Sequence, residues 1–228
     1  MILLEERLVV FTGHFGSGKT ELSINYALEA LDSYEKVILV DLDIVNPFFR
    51  TAEVKEELEE AGLKIYMPNF ATSSVNIPSL PADMYSVFAD KTAKVIFDVG
   101  GDGDGARALG VFNPYFKKED YRMFYVVNTK RPLTSRVDQI VEMKDSIEAS
   151  SRLKVTDIIN NTNLSYETQP CDIIKGQLLV DRVSQETRIP IPYISATKDI
   201  IDGLPEDLRP ELFPLRLYMK PPWRQGDK

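Results

Sequence analysis

The sequence predicts an α/β protein whose mostly parallel, doubly wound sheet is flanked by helices on both faces. Two observations carry this prediction. Several short apolar runs are rich in β-branched residues and do not alternate with polar residues, which is typical of strands buried on both faces. Segments with helical periodicity separate these runs, and strand–helix–strand repeats build right-handed crossovers. No repeat or linker divides the 228 residues, so residues 1–228 are expected to form one domain.

The apolar runs and the periodic segments set the expected order of elements. The predicted strands are residues 8–12, 36–40, 94–97, 122–127, 156–159 and 192–195. The predicted helices are residues 20–31, 51–61, 82–90, 134–150 and 173–187. Residues 68–81 are rich in Ser, Asn and Pro and are expected to form a long surface loop. From residue 204 onward, repeated prolines forbid a long helix, so an extended or turn-rich tail is predicted.

Composition argues against several classes of protein. The only cysteine is Cys171, so one chain can form neither a disulfide nor a thiolate-only metal site, and we expect a small buried thiol in a reducing compartment. The N-terminus lacks a signal-peptide pattern, no run is long enough to span a membrane, and the proline-rich tail leaves no room for an amphipathic anchor. A net charge of −8 without a basic stripe gives no strong nucleic-acid signal. We therefore expect a soluble, cytoplasmic protein.

A phosphate-binding loop is predicted between the first strand and the first helix. The stretch GHFGSGKT at residues 13–20 fits the Walker A pattern GxxxxGK[ST] at every required position. In such a loop, backbone N–H groups and the positive end of the helix surround the phosphates. A lysine contacts the β- and γ-oxygens, and a hydroxyl ligates Mg²⁺. The predicted nucleotide-binding residues of this loop are Gly13, Gly16, Ser17, Gly18, Lys19 and Thr20.

Carboxylates are predicted at the same edge of the sheet. Asp41 and Asp43 lie two residues apart where the second strand ends, so they share a face. Asp98 ends the Walker B stretch KVIFD. Ligands of parallel sheets bind at the carboxyl edge, beside the phosphate loop, so these aspartates are candidates to meet the metal and the attacking water. The alternative for Asp41 and Asp43 is an ordinary solvated strand terminus followed by a turn.

The glycines after Asp98 suggest a nucleotide sensor. Gly101 completes a DxxG pattern, in which a backbone N–H can contact a γ-phosphate and reorder a switch. The stretch GGDGDG at residues 100–105 is predicted to be a flexible, acidic switch loop. A plain solvated turn is the alternative.

Together, GHFGSGKT, VDLDIVNP and IFDVGG resemble the MinD/ParA/CobQ type of P-loop NTPase, which belongs to the SIMIBI class. The resemblance covers the chain up to the third motif, and the later strand–helix pattern is compatible with it. It implies an ATPase, an acid-anhydride hydrolase that uses ATP and Mg²⁺. It places Lys19 and Thr20 on phosphate and Mg²⁺, Asp43 where a carboxylate orients water, and Asp41 and Asp98 around the metal.

The loop departs from that family at its second position. Members usually read GKGGxGKT, where the lysine after the first glycine reaches the partner's phosphates across a nucleotide-bound dimer. This chain has His14 and Phe15 there, and a histidine is shorter and only partly charged near pH 7. Either a nucleotide-dependent homodimer is activated in another way, for example through Arg50 or Arg107, or the protein hydrolyses slowly as a monomer. The plain alternative is that His14 fills space beside the nucleotide.

The base is predicted to be adenine. The loop also resembles that of the metallochaperone GTPases of nickel enzymes, but those read guanine with NKxD. Neither VVNTKRP at Asn128 nor IINNTNL at Asn160 and Asn161 supplies that motif. The adenine-binding asparagine of the MinD/ParA type matches Asn160 or Asn161 better, so ATP is favoured over GTP. An asparagine pair that caps a turn is the competing interpretation.

Two further stretches are candidates for a second ligand. Lys130, Arg131 and Arg136 surround a predicted helix start with Thr134 as its N-cap. Residues 73–81 lie in the long loop. Solvated bases around a helix cap are the plainer interpretation of the first stretch.

The sequence thus predicts Mg²⁺-dependent ATP binding and slow hydrolysis, which together switch an unknown protein client. An ATP-dependent small-molecule kinase or ligase-like enzyme is one alternative, with the acceptor near Asp43 or residues 73–81. A nucleotide-gated adaptor with negligible turnover is the other. Phosphate release without an added acceptor distinguishes the ATPase from both.

Overall fold

A computed structural model describes residues 5–42, 51–67, 82–101, 103–208 and 210–219. The strands in this part are β1 (Leu8–Gly13), β2 (Val37–Leu42), β3 (Lys64–Tyr66), β4 (Lys94–Gly100), β5 (Tyr121–Val127), β6 (Asp157–Asn160), β7 (Tyr193–Thr197) and β8 (Glu211–Leu215). The helices are α1 (Lys19–Ala30), α2 (Thr51–Glu60), α3 (Ala82–Ala89), α4 (Gly103–Val111), α5 (Asn113–Phe116), α6 (Val137–Ser151), α7 (Pro170–Thr187) and α8 (Lys198–Ile201).

The eight strands form one sheet in the order β3-β2-β4-β1-β5-β6-β7-β8, and every pair is parallel. The chain first builds outward from β1 to β3, returns to place β4 beside β1, and then extends the sheet on the other side. The order therefore reverses next to β1. In open α/β sheets the crevice at such a reversal, outside the carboxyl ends of the strands, is where ligands bind. The predicted fold class is confirmed.

Alternate residues of β1 feed two separate cores. Leu8 and Val10 pack on one face with side chains of α3, α4, α6 and α7. Val9 and Phe11 pack on the other face with α1 and α2. Because helices cover both faces, consecutive residues from Leu8 to Phe11 are all apolar, which explains why this part of the strand does not alternate.

All of the predicted strands and helices are present, with their ends shifted by a few residues. The sequence reasoning missed two strands. β3 has three residues, too few for a recognisable pattern. β8 contains Pro214, which removes a backbone donor. A proline is tolerated there because, among the described strands, β8 lies at the edge of the sheet and pairs with β7.

The prediction of a flexible loop at residues 100–105 is wrong for its second half. Residues 103–105 form the first turn of α4. A Cβ on Gly105 would lie 2.5 Å from the carbonyl oxygen of Gly100. The glycine at this position therefore lets the helix pack closely on the end of β4, and it does not signal a mobile turn. Asp102 lies outside the described residues.

Helix α6 begins later than predicted, so the assignment of Thr134 as its N-cap is wrong. Thr134 belongs to a 3₁₀ turn, Pro132–Thr134, and Arg136 occupies the N-cap position of α6. The Thr134 hydroxyl instead donates to the carbonyl oxygen of Asn128 at 2.7 Å. The hydroxyl thus ties the 3₁₀ turn back to the end of β5.

Cys171 also differs from expectation, because it is exposed as the second residue of α7. The expectation of a buried thiol is therefore wrong. In the part of the chain that the structure describes, no helix combines the length and apolarity needed to cross a membrane.

Candidate functional site

The predicted phosphate loop connects the carboxyl end of β1 to the first residue of α1. Its turn is closed by the Ser17 N–H, which donates to the carbonyl oxygen of His14 at 3.0 Å. Gly16 and Gly18 have φ angles of 73° and 86°, a left-handed region that favours glycine. Gly18 is also the N-cap residue of α1. The glycines of the motif thus permit the backbone path that brings the loop onto the helix N-terminus.

The loop sits against neighbouring backbone on two sides. A Cβ on Gly13 would lie 2.3 Å from the carbonyl oxygen of Val126 in β5. A Cβ on Gly101, just after β4, would lie 2.0 Å from the carbonyl oxygen of Gly13 itself. Backbones that approach this closely leave no room for side chains, so Gly101 is directly coupled to the phosphate loop. That its N–H contacts a γ-phosphate remains a prediction.

Thr20 and Asp98 form the centre of the site. The Thr20 hydroxyl donates to Oδ2 of Asp98 at 2.7 Å. Asp98 is buried, with 1% of its surface exposed. Asp41 is in register with Asp98 across the β2–β4 pair. Alternation along both strands puts these two aspartates on the face that α1 covers. The sheet therefore brings Thr20, Asp41 and Asp98 to one edge, as the sequence predicted.

The oxygens gathered there suit Mg²⁺. That ion prefers hard oxygen ligands and is usually held by one or two carboxylates, with waters and substrate phosphates completing its shell. The hydroxyl of Thr20 and the buried carboxylate of Asp98 provide such donors at hydrogen-bonding distance from each other. Among the described residues, no cluster of three or more His, Cys, Asp or Glu side chains could hold a metal by itself. Asp43, predicted to orient water, lies outside the described residues.

The interior of the loop also has donors suited to an anion. Lys19 and Thr20, the first two residues of α1, are both buried. Among the described residues, the buried Oγ of Ser17 has no hydrogen-bond partner. A buried hydroxyl without a partner is costly unless a ligand or water satisfies it, so this donor is consistent with a phosphate-binding role.

Side chains that follow β5 and β6 support the loop. The carbonyl oxygen of Gly16 accepts from Nε of Arg131 at 2.9 Å and from Nδ2 of Asn128 at 3.4 Å. The carbonyl oxygen of Ser17 accepts from Nδ2 of Asn161 at 2.7 Å. These supports could not be predicted from the sequence. Their partners lie more than a hundred residues away along the chain, so no local pattern could reveal them.

Asn160 and Asn161, predicted to contact the base, are both engaged within the protein. Nδ2 of Asn160 donates to Oε1 of Gln177 at 2.9 Å, and its Oδ1 accepts from the N–H and the hydroxyl of Thr162. Asn161 bonds to the phosphate loop and accepts from the Ser195 hydroxyl at 3.0 Å. Base recognition by either residue stays a prediction, and these contacts give both side chains a structural role.

The cations proposed for a second ligand have separate partners. Nζ of Lys130 pairs with Oδ1 of Asp172 at 2.5 Å, and this contact lowers the pKa of the Asp172 carboxyl. Arg131 bonds to the phosphate loop, and Arg136 pairs with Asp138 on the first turn of α6. The structure does not bring these three cations into one anion site. Residues 73–81 lie outside the described residues.

His14 and Phe15 follow the first glycine of the loop. Nδ1 of His14 is 2.8 Å from the carbonyl oxygen of Phe15, and Phe15 is 58% exposed. Arg107, a candidate substitute for the lysine, pairs with Asp104 one turn earlier in α4 at 2.6 Å. Arg50, the other candidate, lies outside the described residues.

The end of the described chain is fastened to the same helix that carries Lys19 and Thr20. The N–H groups of Tyr218 and Met219 donate to the two carboxylate oxygens of Glu21. Asn25, one turn later, bonds to both the N–H and the carbonyl oxygen of Arg216. Strand β8 and the residues after it thereby hold α1 in place over the sheet.

No protein-family model matches this sequence, and the comparison with curated proteins found no significant match. Solved structures do match. Chloroplast FtsY from Physcomitrella patens gives a TM-score of 0.55 at 15% identity over 85% of this chain and 60% of that one. FlhF complexed with GTP and Mg²⁺ gives 0.53 at 14% over 87% and 68%. The cell division protein FtsY from Thermotoga maritima gives 0.51 at 20% over 90% and 65%.

These likenesses show the fold. That fold is a parallel sheet with helices on both faces and a glycine-rich loop between β1 and α1. The chain spans less than two thirds of the length of the FtsY chains that it matches.

Proposed function

We propose that this protein binds a nucleoside triphosphate with Mg²⁺ at residues 13–20, hydrolyses it slowly and acts as a nucleotide-driven switch on a protein client. The observation that carries the proposal is the bond between the Thr20 hydroxyl and the buried carboxylate of Asp98. It lies at the N-terminus of α1, directly after a glycine-rich turn. The hydroxyl and the carboxylate can bind Mg²⁺, and the helix N-terminus can bind the phosphates.

Each residue of the site has a defined role in this proposal. The backbone N–H groups of the loop and the ammonium group of Lys19 bind and orient the phosphates. Thr20 and Asp98, with Asp41 beside them, would hold Mg²⁺, which neutralises charge on the phosphate oxygens when bound. Asp43 would orient the attacking water.

ATP is the nucleotide that the site residues favour. A guanine reader of the NKxD type places a carboxylate at its fourth position, where it accepts from the guanine edge. The corresponding stretch after β5 is Asn128-Thr129-Lys130-Arg131, and its fourth residue is a cation bonded to the phosphate loop. A cation there cannot accept hydrogen bonds from guanine.

The proposed turnover is slow because Lys19 is the single Lys or Arg in residues 13–20, and Arg131 is already bonded to the Gly16 carbonyl oxygen. A further arginine or lysine positioned at the transition state is worth about 10³–10⁵ in rate. His14 stands where the family has its lysine, and Arg107 is paired with Asp104. Activation would then depend on a client or on a second copy of the chain.

Two measurements on the purified protein test the proposal. Calorimetry with Mg·ATP and Mg·GTP should show tight binding and a preference for ATP, and phosphate should be released without any acceptor. Tighter GTP binding would contradict the assignment of the base. Phosphate release only with an added acceptor would favour a kinase or ligase-like enzyme, and tight binding without release would favour an adaptor.

A further inference from the structure

The side chain of Asn161 lies underneath the phosphate loop, against the peptide that joins Ser17 to Gly18. Its Nδ2 donates to the Ser17 carbonyl oxygen at 2.7 Å. A Cβ on Gly18 would lie 2.2 Å from the same nitrogen. Asn161 is 3% exposed. The amide therefore fills the space directly behind the Ser17–Gly18 peptide.

The orientation of the Asn161 amide follows from its partners. A carbonyl oxygen can only accept, so the amide nitrogen has to face Ser17. The amide oxygen then faces Ser195 of β7, whose hydroxyl donates to it at 3.0 Å. Both the nitrogen and the oxygen of the amide are thus held by the protein, and its burial separates it from solvent.

This contact determines the direction of a backbone donor. In a planar trans peptide, the carbonyl oxygen and the N–H that follows it point to opposite sides. Asn161 holds the Ser17 carbonyl outward, toward β6 and β7. The Gly18 N–H consequently points away from Asn161, toward the inside of the loop. That N–H immediately precedes Lys19, at the N-terminus of α1, where an anion would sit.

We propose that Asn161 is a positioning residue for the phosphate loop: it fixes the Ser17–Gly18 peptide so that the Gly18 N–H faces the phosphates. The inference rests on the proposed function and assigns Asn161 a task other than base recognition. Ser195 acts one step further away, by fixing the Asn161 amide.

The inference makes a specific claim about which ligands are affected. Removing the Asn161 amide should weaken ATP, GTP and ADP binding by the same factor, about tenfold or more, because a buried acceptor is left without a donor and the loop loses its fixed orientation. The ratio of ATP to GTP affinity should not change. A base reader would instead change that ratio.

The test compares Asn161→Ala and Ser195→Ala with the wild type by calorimetry with the three Mg-nucleotides. Gln177→Met is the matched control, because Gln177 is equally buried and bonds to the neighbouring Asn160 rather than to the loop. Ser195→Ala should show a smaller loss in the same direction, and the control should bind nucleotide normally. In ¹⁵N spectra, the Gly18 amide resonance should shift with ATP in the wild type and shift less in Asn161→Ala.

The outcomes separate this inference from the proposed function. A wild type that binds no nucleotide overturns both. A wild type that binds ATP while Asn161→Ala binds it equally well overturns the positioning role alone, as does an altered ATP to GTP ratio. If Asn161→Ala does not fold, Ser195→Ala decides: reduced affinity for all three nucleotides supports the role, and unchanged affinity overturns it.

Discussion

The carboxylate of Glu21 accepts a hydrogen bond from the backbone N–H of Met219 at 2.7 Å, and so joins the C-terminal part of the described chain to the first turn of α1. The Tyr218 N–H donates to the other oxygen at 3.0 Å. Glu21 follows directly after Lys19 and Thr20, so the tail and the phosphate site share one helix end. A movement of α1 on nucleotide binding would therefore also move residues 218 and 219.

Replacing Glu21 by alanine should loosen this connection. Two backbone donors would lose an ionised acceptor, and bonds to charged groups contribute about 1.5–3 kcal/mol each when well formed. Because Glu21 is partly exposed, we expect a loss of about 1–2 kcal/mol in the free energy of unfolding, measured by urea denaturation. Proteolysis should also cut the chain after β8 more readily. The exposed Glu35, beyond the end of α1, offers a matched Glu35→Ala control that should be nearly neutral.

The contact of Gly101 with Gly13 predicts that Gly101→Ala damages the site. The added Cβ would lie 2.0 Å from a backbone oxygen, so one of the two loops must move. Overpacking of this kind costs about 1–3 kcal/mol of stability, and the displaced phosphate loop should bind ATP more weakly. Gly62→Ala is the control for ATP binding: its φ of 106° makes the alanine destabilising, but its Cβ would approach no atom closer than 3.7 Å and lies away from the phosphate loop, so ATP affinity should not change. If Gly101→Ala binds ATP normally, the two loops are not coupled.

Lys19→Ala should weaken Mg·ATP binding by about 100-fold or more, since a lysine at this position makes charge-assisted bonds to the phosphates. The fold should persist, because the buried apolar side chains of α1, such as Leu22 and Tyr26, remain in place. Calorimetry measures the affinity, and thermal melting without nucleotide serves as the control. Equal ATP affinity in variant and wild type would show that the loop is not the binding site.

The sequence predicted the fold well because its strands are buried on both faces, and that burial leaves a continuous apolar run such as VVF in β1. It failed where a residue's role depends on distant partners. The stretch GGDGDG predicts a flexible loop, but Gly105 lies in the first turn of α4, where the absence of a Cβ lets the helix pack against Gly100 at the end of β4. Base contact by Asn160 or Asn161 stays a prediction, but no local pattern could reveal that Asn161 also bonds to Ser17, 144 positions away. The Walker motifs are local sequence patterns, and the structure brings Thr20 and Asp98 together at one edge of the sheet. The side chains that support the loop come from distant parts of the chain.

The burial of Lys94 predicts that the stability of the fold rises with pH in the alkaline range. The residue is fully buried at the start of β4, where Nζ donates to the carbonyl oxygen of Glu6 at 2.6 Å. Burial lowers the pKa of Lys94 from 10.5 to about 8, although the Glu6 carboxylate opposes this shift. Between these two pKa values the unfolded chain binds more protons than the folded one. The free energy of unfolding should therefore rise with pH from about 8 to 9.5, by at most about 1.4 kcal/mol per pH unit.

Urea denaturation at several pH values checks this slope. Lys94→Met should flatten it, and Lys117→Met, at an exposed lysine, should leave it intact. The range stops below pH 10 because burial raises the pKa of Tyr125, so that its ionisation in the unfolded chain destabilises the fold at higher pH. A slope that is unchanged in Lys94→Met would show that Lys94 titrates normally.

The last prediction concerns His14, which stands where the MinD/ParA motif that the loop resembles has a lysine. The wild type should bind Mg·ATP and hydrolyse it at well below ~1 s⁻¹, which is the lower end of ordinary enzyme rates. Asp43→Asn should slow hydrolysis further with little loss of affinity, since it removes a carboxylate that acts on water and leaves the phosphate loop whole. These steps are measured by phosphate release at several protein concentrations.

His14→Lys then tests what the loop lacks. His14 is partly exposed and Phe15 is 58% exposed, so a longer, permanently charged side chain at position 14 could reach the phosphates of a second copy. We expect His14→Lys to form dimers with Mg·ATP in analytical ultracentrifugation and to hydrolyse ATP faster as protein concentration rises, because a second cation stabilises the charge of the transition state. His14→Ala separates this gain from mere loss of the imidazole and should stay slow and monomeric. Fast, concentration-independent hydrolysis by the wild type would show that this loop never needed the lysine.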